Sequence, residues 1–487
     1  RSFTIQSTSS LTVGGNFTNT AGTVTLNSSS DEFSSLLVSG ASSGDITYNR
    51  YVNIVGTGDW DLVGAPVSGM AFSELIIDPN IATNGSGVYA VGAYDNSLDT
   101  WTNATNATTG DLALGQGYQM ATTNGGTLSF TGAIANGDQS VIINNNNAAN
   151  SGSGRRWNLI ANPFASYLHG NTNADGTNNF LTVNTAAIDD NFEAIYGWKA
   201  DGTGYEIYNN SSTTTYIAPG QGFFVAAAGS GADQTISFTQ AMQTVTGADD
   251  FISGRIMNPT SSEFLLKLYE DEILIDNTRF YFDNDLTLGL DPGYDAGHFN
   301  QDASLMSRLV EEDEGIGFAI NAMGSDALGG VSIPLEVNQL SNVPFRISLE
   351  DSSIAPDIEV QLEDRLLETL TLLNDEDFTL TAEDDLIGIG RFYLHLGNVT
   401  LGVNDPEDSY VRVYKPNNSD YIAIEGLVNI QKARIKLYNL IGQEIIHKVL
   451  SNNQTNYRIS TQGIPQGVYV IKLQFENSKI TKKLIIN

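Results

Sequence analysis

An all-β chain built from several packed sandwiches is what this sequence predicts, and three observations carry the expectation. Glycine occupies 48 of 487 positions, with Ser, Thr and Asn also abundant, so turns are frequent and helix-favouring runs scarce. Apolar residues recur at every second position in short runs, the period of a strand with one buried face. The length is several times that of an ordinary domain, so roughly three to five domains are expected, each with its own core. The expected architecture is a tandem of immunoglobulin-like or jelly-roll-like β-sandwiches, ended by an immunoglobulin-like module and opened by the end of a β-solenoid.

Residues 1–52 carry short strands such as Leu11-Thr12-Val13, Thr23-Val24-Thr25-Leu26, Leu36-Leu37-Val38 and Ile46-Thr47-Tyr48, spaced by Gly and Asn. A solenoid rung buries its face only against a neighbouring rung, so this segment reads as the end of an upstream β-rich region. The chain opens on Arg1 without a hydrophobic signal region, which leads to the same expectation of a processed or longer protein.

An internal duplication follows. Trp60-Asp61-Leu62-Val63-Gly64-Ala65-Pro66 returns as Trp157-Asn158-Leu159-Ile160-Ala161-Asn162-Pro163, and Gly115-Gln116-Gly117-Tyr118 as Gly220-Gln221-Gly222-Phe223. Ser129-Phe130 returns as Ser237-Phe238. The offset grows from 97 to 105 to 108, so the second copy carries extra loop residues. A unit of about a hundred residues is domain-sized, which gives repeats at 53–150 and 151–246. Trp60 and Trp157 fit core positions. Tyr94, Trp101, Trp198 and Tyr205 sit among Asp, Asn and Thr, where an aromatic platform for a glycan is one reading.

Residues 247–397 read as an acidic β-sandwich, with runs such as Phe264-Leu265-Leu266-Lys267-Leu268-Tyr269 and Phe345-Arg346-Ile347-Ser348-Leu349. Asp302 followed by Leu305, Met306, Leu309 and Val310 predicts one short helix, with Asp302 as its N-cap. Asp283, Asp285, Asp291 and Asp295 concentrate oxygen ligands in a Gly-containing loop; calcium is one reading and a solvated acidic turn the other. Residues 398–409 form a polar linker.

Composition narrows the chemistry. A net charge of −33 speaks against nucleic-acid binding by the body, because phosphate recognition needs clustered cations. The lack of cysteine excludes a disulfide framework, a thiol nucleophile and zinc-thiolate sites. Four scattered His and the lack of a Gly-x-Ser-x-Gly elbow, a His-Glu-x-x-His helix or a phosphate loop point to a non-enzymatic chain. No run approaches the ~18 apolar residues of a membrane-spanning helix.

Charge reverses in the last segment. Residues 410–487 hold eleven of the 23 Lys and Arg but four of the 56 Asp and Glu, a balance of +7 against −40 for the rest. A reversal this abrupt predicts a partner different from the body's. Ala433, Ile435 and Leu437 alternate with Arg434, Lys436 and Tyr438, and further alternating rows follow Gly463-Ile464-Pro465-Gln466-Gly467 and Asn477-Ser478, as in hairpin-linked antiparallel strands.

The words Leu437-Tyr438-Asn439-Leu440-Ile441-Gly442-Gln443-Glu444, Ile464-Pro465-Gln466-Gly467-Val468-Tyr469-Val470-Ile471-Lys472 and Thr481-Lys482-Lys483-Leu484-Ile485-Ile486 resemble the type A C-terminal sorting domain of type IX secretion cargo. Pro416-Asn417-Asn418 stands where that family usually has Pro-Asn-Pro, and Asn487 where it usually ends in Lys. The resemblance implies export across the outer membrane to the cell surface. It implies as partners a SprA-type translocon barrel, a PorV-type outer-membrane shuttle barrel and a surface sortase-like protease that cuts in the linker, followed by release or joining to lipopolysaccharide. Tyr438, Asn439, Gly442, Gly463, Gly467, Tyr469, Lys482 and Lys483 are the candidate sorting residues; Lys482 and Lys483 equally fit protection of an edge strand. The body then reads as adhesive or structural, as in a gliding-motility adhesin. The alternatives are the accessory and sorting part of a secreted hydrolase, or a carbohydrate-binding protein.

Overall fold

A computed structural model describes residues 2–56, 60–146, 153–199, 204–229, 232–247, 249–250, 262–397, 411–416, 419–427, 432–450, 454–475 and 478–486. The linker expected at 398–409 lies outside them. The chain divides into two units, Arg1–Asn258 and Pro259–Asn487.

The first unit begins as a solenoid. Strand Ser2–Ile5 pairs in parallel with Thr23–Asn27, and that strand with Asp45–Val52. Parallel pairs Ser10–Val13 with Ser35–Val38 and Phe17–Thr18 with Ser42–Ser43 form the other sides. Partners such as Ser2 and Thr23, or Ser10 and Ser35, lie one rung apart. Polar side chains stack in step with the rungs: Asn49 Nδ2 donates to Asn27 Oδ1 at 2.9 Å, and Asn27 Nδ2 to Gln6 Oε1 at 3.4 Å. The last rung is closed by the antiparallel strand Gly126–Ala133, so Ile5, Leu26, Ile46 and Tyr48 share one core with Leu128 and Phe130.

The duplication is a duplication of topology. The first copy orders its strands Asp61–Val63, Tyr118–Met120, Val88–Asp95, Thr100–Thr105; the second orders Trp157–Ala161, Gly222–Ala226, Ile195–Trp198, Tyr205–Tyr208. Each copy also has an outer pair, Asp45–Val52 with Gly126–Ala133 and Gln139–Asn144 with Asp233–Phe238. By pairing, therefore, the copies run 45–133 and 139–238: the strand before each Trp word closes on its own copy's last strand.

The repeated words meet reciprocally. The Gly-Gln-Gly segment of each copy lies against the Trp-word strand of the other, through bridges Gln116 to Ile160 and Val63 to Gln221. Gly117 N donates to Leu159 O at 3.2 Å, Gly64 N to Gly220 O at 2.8 Å, and Gln116 Nε2 to Leu159 O at 2.8 Å. A Cβ on Gly117 would lie 2.6 Å from Leu159 Cγ, and one on Gly222 2.7 Å from the Leu62 carbonyl carbon. Glycine is required there by close backbone approach. Trp157 is buried as expected, while Trp60 is half-buried beside Ala82, Ala90 and Ala121.

In the second unit, residues 262–396 form one eleven-stranded sheet that curls over its own core. Phe378, on the edge strand at one end of the sheet, meets Phe392 from near the other end at 5.7 Å. The helix expected after Asp302 is instead strand Leu305–Ser307, paired with Val331–Val337. Leu305, Met306 and Ser307 are all buried, and Asp276 Oδ2 accepts from Leu305 N at 3.0 Å. Burial on both faces of a central strand outweighed the helical spacing.

The C-terminal module packs sheet Arg412–Tyr414, Tyr421–Glu425, Tyr457–Ser460 against sheet Glu444–Leu450, Ala433–Asn439, Gly467–Phe475, Ser478–Ile486. Its core, including Ile422, Ile435, Leu437, Ile471, Leu473 and Leu484, is separate from that of the acidic sheet.

Replacing Gly222 or Gly117 by Val is expected to destabilise the first unit by about 1–3 kcal/mol or more. Gly176→Ala, whose added methyl has open space around it, serves as the near-neutral control. Denaturant midpoints of the three variants check this.

Candidate sorting surface and aromatic row

The alternation in Ala433–Asn439 has the predicted result: Ala433, Ile435 and Leu437 are buried, and Arg434, Lys436 and Tyr438 face outward. Register extends this face across the sheet. Arg434 aligns with Gln474 and then Lys479, Lys436 with Lys472 and Thr481, and Tyr438 with Val470 and Lys483. Arg434, Lys436, Lys472, Lys479 and Lys483 thus share one surface. The Lys472 ammonium lies 5.2 Å from the Tyr438 ring centroid, a cation–π contact. Glu444 bonds Lys436 at 2.9 Å, which raises the Lys436 pKa and lowers that of Glu444; this solvated pair adds little to stability.

The candidate sorting residues divide by role. Asn439 Oδ1 accepts from Gln443 N at 2.9 Å, and Gly442 takes φ +82°, so both shape the hairpin turn. Gly463 takes φ +82° in the turn Thr461 to Ile464, and Gly467 begins the next strand. Tyr469 is a core residue whose hydroxyl donates to Pro465 O at 2.7 Å. Lys482 and Lys483 are exposed on the edge strand Ser478–Ile486, opposite Ile471 and Val470. Sequence reasoning missed the hairpin tip, where Leu440 is 74% and Ile441 87% exposed. Two aliphatics between the turn-forming Asn439 and Gly442 were the available signal.

In the first unit the four predicted aromatics do come together. Tyr94 and Trp101 are cross-strand partners in one copy, and Trp198 and Tyr205 in the other. They flank Phe224 in a row: Trp198 to Tyr205 at 4.9 Å, Tyr205 to Phe224 at 6.0 Å, Phe224 to Tyr94 at 5.2 Å and Tyr94 to Trp101 at 5.2 Å. Phe224 is buried and Trp101 is 38% exposed. Burial and a hydrogen bond to Asp99 push the Tyr94 hydroxyl pKa up. Beside Tyr94 opens a cleft of about 330 Å³ lined by Asn96, Asn144 and Asn158. Asn96 Nδ2 donates to Asn144 Oδ1 at 2.9 Å and to Asn158 Oδ1 at 3.2 Å, stitching the two copies together.

The aspartates proposed for calcium do not converge. Asp283 Oδ1 accepts from Asp285 N, Asp291 Oδ2 from Thr287 N at 2.7 Å, and Asp295 from Ala322 N and Asp291 N at 2.7 Å each. Asp295 is fully buried, which pushes its carboxyl up to about 8 against the pull of those N–H donors. Among the described residues no three His, Cys, Asp or Glu side chains are grouped to hold a metal ion. Asp283 and Asp291 cap their own turns, while Asp295 also ties the loop to Ala322 of the sheet. A chelator is expected to leave the melting transition unchanged, as calorimetry with and without EDTA will show.

Known proteins place both parts of the chain. No curated protein matches it. A crystal structure of a tetra-tandem repeat in the extending region of a large adhesion protein aligns over 84% of this chain and 92% of that one at 11% identity; its TM-score of 0.11 carries no argument. Residues 413–487 match the secretion system C-terminal sorting domain, which makes the chain type IX cargo, exported across the outer membrane to the cell surface or beyond. Residues 1–395 match the family described as "Domain of unknown function (DUF8693)", and the chain belongs to that family.

Proposed function

We propose that the chain is a non-enzymatic surface protein whose body adheres to glycans through the aromatic row, displayed by its sorting module. The observation that carries this reading is the convergence of Tyr94, Trp101, Trp198 and Tyr205 on Phe224 beside an asparagine-lined cleft. Ring faces suit the apolar faces of sugars, and carboxamides suit their hydroxyls. A structural use of buried carboxylates supports the non-enzymatic reading: Asp364 takes a bidentate Arg391, and Glu263 pairs with Arg279 at 3.2 Å.

For export, the proposed partners are a SprA-type translocon and a PorV-type shuttle barrel that grip the four-stranded sheet of the module. The cationic face steers the encounter, and the edge strand Ser478–Ile486 offers backbone groups for pairing. A sortase-like protease then removes the module, and the body is released or held on lipopolysaccharide. A gliding-motility adhesin is the finer form of this reading.

Deletion from Tyr410 onward is expected to strand a protease-resistant body inside the outer membrane, as cell fractionation reads; normal surface amounts would overturn the export role. A glycan array probed with the exported body is expected to show binding that Trp101→Ala weakens about tenfold. Silence on every glycan would remove the adhesive reading and leave export intact.

A further inference from the structure

We infer that the acidic sheet carries a built docking surface for the sorting module, centred on Arg308, which holds the module independently of the covalent connection between them. Arg308 is buried, and its guanidinium is shared. On the sheet it donates to Asp313 at 3.2 Å and Glu336 at 2.9 Å; on the module it donates to the Tyr414 hydroxyl at 3.2 Å and pairs with Glu425 at 3.6 Å. Tyr414 in turn donates to Glu425 at 2.8 Å. Arg412 of the module returns the contact, donating to Val310 O at 3.1 Å and lying 4.0 Å from Asp313.

Two glycines of the sheet fit the module closely. A Cβ on Gly390 would lie 2.6 Å from Gly426 Cα, and Gly315 has no room for a side chain beside the Tyr414 ring. Asn456 of the module donates to Ile387 O at 3.1 Å. These contacts are polar, while the apolar cores on either side stay separate. Two complete cores joined by a polar, shape-fitted seam have the make-up of a separable interface. Burial alone would lower the Arg308 pKa, but Asp313, Tyr414, Glu336 and Glu425 outweigh it, so the guanidinium stays charged. Without it, carboxylates from both sides face each other with Arg412, 4.0 Å from Asp313, as the cation left among them. Severing the connection between sheet and module therefore does not by itself release the module; the Arg308 seam must also open.

The test is made on the full chain with a specific protease site inserted between residues 401 and 408 and cut after folding. Size-exclusion chromatography at micromolar concentration is expected to keep the cut module with the body. Arg308→Met is expected to raise the dissociation constant about a hundredfold, and Tyr414→Phe about tenfold. Gly390→Val tests the same seam sterically if Arg308→Met fails to fold, and Lys483→Glu, on the far sheet, is expected to leave docking unchanged. Immediate separation of the cut native chain, or retention undiminished in both Arg308→Met and Gly390→Val, would overturn the inference. Neither result bears on whether the body binds glycans.

Discussion

The missing side chains at Gly64, Gly117, Gly220 and Gly222 are the constraint on which the first unit depends. They let each copy's Gly-Gln-Gly segment approach the other's Trp-word strand closely enough for direct backbone hydrogen bonds. That crossing sets one sheet against the other, and only then do the aromatic pairs Tyr94–Trp101 and Trp198–Tyr205 reach a common Phe224. The duplicated words that stand out in the sequence are thus the contact between copies.

Strand-rich structure was legible because its period is short and local. The run Ala433 to Tyr438 announced which face would be buried, and the repeated words announced two copies of one topology. The limits of those copies were not legible, since the pairing of Asp45–Val52 with Gly126–Ala133 joins residues some eighty apart. Leu305 to Val310 misled for a related reason: an apolar spacing that fits a helix fits a strand buried on both faces equally well. The aspartate loop misled through composition, because its oxygens serve backbone N–H groups of the loop and, from Asp295, of Ala322. Arg308 has one partner near in sequence, Asp313, but Glu336, Tyr414 and Glu425, which make it a junction, are distant.

The charge reversal has two structural expressions. Five of the eleven cations of the module, Arg434, Lys436, Lys472, Lys479 and Lys483, share the outer sheet face, away from its core. Arg412 turns the other way and joins Arg308 among carboxylates. An address that also leans on its cargo is retained by two kinds of attachment, one covalent and one electrostatic.

The symmetry of the copies breaks at the centre of the aromatic row. Phe224 has as its counterpart Gln119, whose amide bonds Asn103 Oδ1 at 3.1 Å instead of offering a ring. Among the described residues the doubling has therefore produced one aromatic row shared by the two copies, so on the adhesive reading proposed above firm attachment comes from many molecules acting side by side.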